Sequence, residues 1–114
     1  MNSYIGVAFM KCLMNLDYLF SEKLRMVKTV FKRGFPEEYP HILKWKLQIL
    51  YWDSLSWKEV CRVDNYLHEG KCQTHIHRTD TKNVFWKELE LHEAEIYVQQ
   101  LGKELIKKYF GEQL

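Results

Sequence analysis

The sequence contains few of the residues that interrupt or cross-link a chain. Its 114 residues include only two prolines, five glycines and three cysteines. Because prolines and glycines are few, there is no room for a long flexible linker. We therefore expect a single compact domain. The cysteines form an odd set without metal-ligand spacing, which argues against a disulfide framework and against a four-cysteine zinc site. We expect them to be free thiols of a cytoplasmic protein.

Long apolar runs and a strong excess of one charge are also absent. The most apolar segment, Tyr4 to Phe20, is interrupted by Lys11 and Asp17 and is short for a membrane span. It has neither the basic start nor the small-residue cleavage site of a signal peptide. The formal net charge of +2 does not by itself indicate nucleic-acid binding, because solubility alone explains it. We expect no membrane partner.

Residues 1–25 differ in character from the rest of the chain. Their apolar side chains predict an N-terminal helix that packs on the domain or on a partner. A second interpretation is that they are an extension from a misassigned start codon, because a more regular pattern begins at Met26. Under either interpretation, residues 26–114 form a single domain.

The next segments predict an antiparallel β-meander of about four strands. Met26 to Lys32 has strand character, and Ile42 to Trp52 alternates between apolar and polar side chains. After a short turn the chain returns from Trp57 to Asp64. A three-residue loop in this turn places Leu47 opposite Cys61.

A long C-terminal helix is predicted from about Lys87 to Phe110, where apolar residues recur at helical spacing. This helix should pack on the apolar face of the sheet, which gives an α+β fold class. Gly102 should weaken the helix by about 1 kcal/mol relative to alanine. Gly111 is placed to end it.

Most of the candidate chemistry lies between Arg62 and Arg78, which contains three of the five histidines. Gly70 can adopt the positive φ that a hairpin turn at Glu69-Gly70 requires. The turn sets the facing pairs, which are Asp64 with His75, Arg62 with His77, and His68 with Lys71. The side chains of the first two pairs then share one solvent-exposed face, and the small or apolar residues form the other: Cys61, Val63, Cys72, Thr74 and Ile76.

A sheet face with these side chains suits metal-independent cleavage of phosphodiester bonds in RNA. His75 and His77 are our candidates for general acid and base, because imidazole exchanges protons near neutral pH. Asp64 would orient His75, and Arg62 would neutralise charge in the transition state. Nucleic acid would be bound by four further residues: Lys44, Lys46, Arg78 and His68. We expect no cofactor.

Two other interpretations of these residues remain open. Any antiparallel sheet with one solvated face shows exposed polar alternation, so the face could serve solubility alone. A strand sequence His75-x-His77 also aims two imidazoles in the same direction, and Asp64 or His68 could complete a zinc or manganese site. Because a standard four-ligand signature is missing, we assign no metal ligands from the sequence.

The hairpin contains the segment Arg62-Val63-Asp64-Asn65, then His68, and then the segment Thr74-His75-Ile76-His77. Together these features resemble the TumE-type toxins, the toxin halves of prokaryotic toxin–antitoxin modules. With the preceding strand and the following helix, the resemblance covers about residues 42 to 110. It implies a small cytoplasmic protein that acts on RNA and is held inactive by an antitoxin protein. The chain departs from the family in the connection from Tyr66 to Lys71, which in the family is longer, contains proline and is richer in histidine.

A different class of function follows from the apolar N-terminal segment. Residues 4 to 20 would form an exposed apolar patch unless another surface covered them. The alternative is therefore a non-catalytic interaction module, or a homodimer in which a second copy covers the patch.

Overall fold

The computed structural model describes residues 10–111 of the chain. These residues form a six-stranded antiparallel sheet with one α-helix on one face, which confirms the α+β class. The strands lie side by side in chain order, as β1 (Lys11–Leu19), β2 (Leu24–Lys32), β3 (Leu43–Trp52), β4 (Trp57–Asp64), β5 (His75–Arg78) and β6 (Phe85–Trp86). A short 3₁₀-helix, Pro36–Glu38, links β2 to β3, and the helix α1 (Leu91–Phe110) follows β6.

The hydrophobic core lies between α1 and the central strands. Alternate residues of β3 are buried, namely Trp45, Leu47, Ile49 and Tyr51. The helix packs against β3 and β4 through residues at helical spacing: Ala94, Val98, Leu101, Leu105 and Ile106. Full burial of a valine, leucine or isoleucine side chain stabilises a fold by about 1.5–3 kcal/mol. The predicted long C-terminal helix and its position on the sheet are therefore confirmed.

Gly102 allows α1 to approach the sheet closely. The residue is buried, and a Cβ added to it would lie 2.8 Å from Cγ2 of Ile49 on β3. The glycine therefore has a packing role that its low helix propensity does not reveal. Gly111 ends the helix with a φ of 68°, as predicted.

The prediction of an N-terminal helix is wrong for the described part of that segment. Lys11–Leu19 form the strand β1, which pairs with β2, while residues 4 to 9 lie outside the described residues. An extended chain here pairs with backbone groups of β2 that a helix would leave without partners. The predicted boundary between residues 25 and 26 falls inside β2, where Leu24 and Met26 are both buried.

Two details of the predicted sheet also need correction. The sheet has six strands rather than about four, because β1 and the two-residue β6 extend it at its two ends. Leu47 faces Val63 instead of Cys61, because Trp52 pairs directly with Trp57 and a bulge follows Ile49. From Cys61 to Asp64 this shift of two residues leaves the side chains on their predicted faces, since strand side chains alternate with a period of two. Beyond the bulge the shift is odd, and Trp57 lies on the face of Trp52 instead of the apolar face predicted for it.

Candidate functional site

The predicted pairing of β4 with β5 is confirmed. Asp64 faces His75, Arg62 faces His77, and His68 forms a bridge with Lys71 beyond the regular ladder. Both turn residues have positive φ, 51° at Glu69 and 78° at Gly70, as a two-residue hairpin turn of type I′ requires. The chain leaves the ladder between residue 64 and this turn, and the His68 ring lies over the strand face, 5.1 Å from the His75 ring.

The centre of the polar face is buried, which the sequence did not predict. Only 3% of Asp64 and 1% of His75 is exposed to solvent. The rings of His68 and Trp86 cover His75, with the Trp86 ring centroid 5.0 Å away. Expecting an exposed face was therefore wrong for these two residues, because the hairpin tip and β6 lie over them.

Both ring nitrogens of the buried His75 face oxygen atoms. Nδ1 lies 2.8 Å from the carbonyl oxygen of Gln73, and Nε2 lies 3.2 Å from Oδ1 of Asp64. A neutral imidazole carries one proton, so one of its nitrogens must then present a lone pair to an oxygen. A bound cation would remove this repulsion. His75 and Asp64 are therefore a potential binding point for a cation.

His77 lies nearer the solvent and faces the other oxygen of the same carboxylate. Its Nε2 is 3.9 Å from Oδ2 of Asp64, which also lies 3.2 Å from Nε of Arg62. Burial lowers the pKa of His77, and the Arg62 charge lowers it further. His77 is consequently a neutral base at pH 7, with a cationic neighbour.

These groups line one open cleft of about 210 Å³. Six of the eight residues proposed from the sequence line it: Lys46, Arg62, Asp64, His68, His75 and His77. Lys44 lies beside the cleft, with Nζ 4.6 Å from the ring centroid of Tyr66, a lining residue. The sequence therefore identified most of the cleft, but not its depth.

Arg78 does not join the other proposed residues. It forms two hydrogen bonds to Asp80, at 2.9 and 2.8 Å, and Tyr109 of α1 donates a third bond to that carboxylate. Alternation along β5 places Arg78 on the side of Ile76, which faces the helix. The same alternation was visible in the sequence and would have excluded Arg78 from the histidine face.

Several residues of the site were missed by sequence reasoning. Tyr66 lies between two lysines, with the Nζ atoms of Lys44 and Lys46 at 4.6 and 5.5 Å from its ring centroid. Trp86 faces His75 across the β5–β6 pair, and Lys71 lies over its ring. A two-residue strand is too short for its sequence to show that Trp86 lies against His75.

The three histidines of the cleft could also hold a metal ion. Each of His68, His75 and His77 offers one ring nitrogen, and these atoms lie within 4.8 Å of one another. Imidazole nitrogen is a preferred ligand of zinc and of other transition metals. The hairpin thus brings together a potential ligand set that has no signature in sequence spacing.

Comparisons of the chain with models of protein families, with curated proteins and with solved structures find no match. The resemblance to TumE-type toxins therefore stays a prediction, and the chemistry of the cleft must be argued from its geometry. Within residues 10–111, no helix is long and apolar enough to cross a membrane.

Proposed function

We propose that the cleft binds RNA and cleaves its phosphodiester bonds by acid–base catalysis, and that the protein acts as the toxin of a toxin–antitoxin module. The observation that carries the proposal is the position of His77, a neutral base beside Arg62 in a cleft open to solvent. Cations next to a base suit the phosphate of RNA and the charge that develops on it. The resemblance to TumE-type toxins supports the same substrate and adds an antitoxin protein as the partner.

The burial of the cleft changes the roles that we assign to the histidines. His77 takes the proton of the 2′-hydroxyl, whose oxygen attacks phosphorus and forms a cyclic phosphate. His68 in its protonated form, with 32% of its side chain exposed, donates the proton to the leaving 5′-oxygen. His75 is buried against Asp64 and acts as a positioning residue instead of the acid.

The basic residues around the cleft hold the backbone of the substrate. Arg62 and Lys46 line the cleft and contact the phosphate that is cleaved. Lys44 and the Tyr66 ring lie next to them, and we assign to them the binding of the neighbouring nucleotide. Arg78 has no part in binding, since it is paired with Asp80 on the helix side.

Cleavage of an unstructured RNA oligonucleotide by purified protein tests the proposal. We expect His77→Ala to lower the rate by at least 10²-fold, because general acid–base groups contribute about 10²–10⁴-fold. The control is His92→Ala, which removes an exposed histidine of α1 outside the cleft. EDTA should not lower the rate, because the proposed cleavage uses no metal ion.

The same variants can be compared in bacteria. Induction of the wild-type chain should arrest growth, and the His75→Ala/His77→Ala pair expressed at equal soluble levels should relieve the arrest. Equal RNA cleavage by the wild type and His77→Ala would mean that the activity belongs to a contaminant or to another site. With either explanation, acid–base catalysis by this cleft would lose its support.

A second candidate function is a non-catalytic interaction module that forms homodimers. The observation in its favour is β1, whose nine residues are all exposed and include five large apolar side chains: Leu13, Met14, Leu16, Tyr18 and Leu19. Apolar surface of this kind commonly marks an interface. This candidate is compatible with catalysis in the cleft, because β1 lies at the opposite end of the sheet order from β5 and β6.

A further inference from the structure

We infer that His68, His75 and His77, together with Asp64, bind one Zn²⁺ ion in the cleft, and that this ion blocks the proposed cleavage. The binding site follows from the geometry of the described residues alone. The block on cleavage rests on the proposed function. An experiment can therefore contradict the block on cleavage and leave the metal site standing.

The arrangement of His75 is the first reason to expect a metal. Metal-binding histidines commonly donate one ring N–H to a carbonyl or carboxylate, which fixes the other nitrogen as the ligand. Nδ1 of His75 has such a partner in the carbonyl oxygen of Gln73, at 2.8 Å. In the tautomer that donates Nδ1–H to this oxygen, Nε2 presents its lone pair toward Asp64, where a cation turns repulsion into coordination.

Distances between the donor atoms are the second reason. Zinc bonds of about 2.0–2.1 Å in a tetrahedral site place neighbouring ligand atoms about 3.4 Å apart. Nε2 of His75 and Oδ1 of Asp64 are already 3.2 Å apart. The three histidine nitrogens lie within 4.8 Å of one another, so a movement of about 1.4 Å closes the site.

His68 is the residue that can make this movement. It lies next to the hairpin turn, 32% of its side chain is exposed, and its nearest charged partner is Glu69 at 3.7 Å. His75, by contrast, is held by Gln73 and by burial. We therefore expect two preformed ligands on β5, His75 and His77, and one mobile ligand from the hairpin tip.

The ligand type favours a borderline transition metal over magnesium or calcium. Imidazole suits zinc, copper and nickel, whereas magnesium and calcium prefer sites built from oxygen. Asp64 supplies one negative charge, which the ion would share with Arg62 at 3.2 Å from Oδ2. A bound ion occupies the lone pair with which His77 would accept a proton, so metal binding and acid–base cleavage exclude each other.

Titration of Zn²⁺ into metal-free protein, against a coloured competing chelator, tests the site without any assay of activity. A Cys12→Ser background removes the exposed thiol, which could bind zinc by itself. We expect one ion per chain and at least tenfold weaker binding in both His68→Ala and His77→Ala, since even loss of an outer-shell partner costs about 10–100-fold. His92→Ala should bind as tightly as the parent.

Nuclear magnetic resonance of the imidazole groups locates the ion. Addition of zinc should shift the signals of His68, His75 and His77 and leave those of His41 and His92 in place. Unchanged signals in the cleft, or unchanged affinity in His68→Ala and His77→Ala, would overturn the site. Circular dichroism of each variant shows whether a weaker affinity reflects lost folding.

The effect on RNA cleavage separates the two parts of the inference. One equivalent of zinc should lower the cleavage rate at least tenfold in the Cys12→Ser parent. Zinc binding in the cleft with no cleavage under any condition would overturn the proposed function and leave the metal site standing. Faster cleavage with zinc would overturn the block and would assign the ion a catalytic role.

Discussion

At the scale of single residues, the buried His75 is covered by rings from two other segments of the chain, the hairpin tip and β6. The turn at Gly70 and the alternation of β4 and β5 were sufficient to predict that Asp64 faces His75. Their burial depends on His68 and Trp86, which come from the hairpin tip and from β6. Contacts between segments that are distant in the sequence leave no local pattern, so the sequence indicated that the buried Asp64 and His75 lie at the surface.

Gly102 gives a prediction in which packing opposes helix propensity. Alanine at this position gains about 1 kcal/mol of propensity. Its Cβ would, however, lie 2.8 Å from Cγ2 of Ile49, and overpacking of a core costs about 1–3 kcal/mol. We therefore expect Gly102→Ala to lower the free energy of unfolding by about 1 kcal/mol in urea titrations.

The matched control for this prediction is Gln100→Ala on the exposed side of α1. It should leave the free energy of unfolding unchanged within about 0.5 kcal/mol, as is usual for surface substitutions. Greater stability of Gly102→Ala than of the wild type would show that the sheet moves aside at low cost and that the glycine has no packing role.

At the scale of elements, patterned segments were predicted well and unpatterned ones were not. β3 alternates between buried and partly buried residues, and α1 has its apolar residues at helical spacing, so both were identified. β1 alternates between apolar and polar residues only from Met14 to Tyr18, and a bulge between Cys12 and Met14 interrupts the pattern before it. It is a strand because it pairs with β2, and this pairing cannot be read from the sequence of β1 alone.

The β4–β5 hairpin offers a prediction about its turn. Glu69 has a φ of 51°, which is unfavourable for most residues other than glycine, asparagine and aspartate. Asparagine followed by glycine is the preferred pair for a type I′ turn. We expect Glu69→Asn to raise the free energy of unfolding by about 0.5 kcal/mol, measured by urea titration.

Gly70→Ala is the opposite change at the same turn. Its added methyl group meets no atom within 4 Å, so strain at a φ of 78° is its principal effect. A left-handed conformation costs a non-glycine residue about 1–2 kcal/mol, and the variant should lose about that much stability. If Glu69→Asn were less stable than the wild type, the Glu69 side chain would have a stabilising contact that outweighs the strain.

At the scale of the whole molecule, the one helix in residues 10–111 is too narrow to cover the six strands described there. α1 packs on β3 and β4, while β1 lies two strands from β3 at the end of the sheet. Within residues 10–111, β1 pairs with β2 alone, and an exposed edge strand is a template for another chain. The shape of the molecule thus offers a surface for a second copy at a distance from the cleft.

Antiparallel pairing of β1 with a second copy is favoured by the charges of the strand. If Met14 lies on the two-fold axis, Lys11 of each copy faces Asp17 of the other, and opposite charges directly across a strand pair are stabilising. We expect the wild-type chain to sediment as a dimer at micromolar concentration. Leu16→Lys should sediment as a monomer, because lysine on an edge strand opposes pairing between chains.

Leu55→Lys is the matched control for this substitution. Leu55 is 86% exposed in the turn between β3 and β4, so the change adds the same charge at a site away from the edge of β1. This variant should remain a dimer. Two outcomes would show that β1 does not pair with a second copy. One is a wild-type chain that stays monomeric over the whole concentration range, and the other is an equal mass for the two variants. The exposed apolar strand would then require a partner of a different sequence.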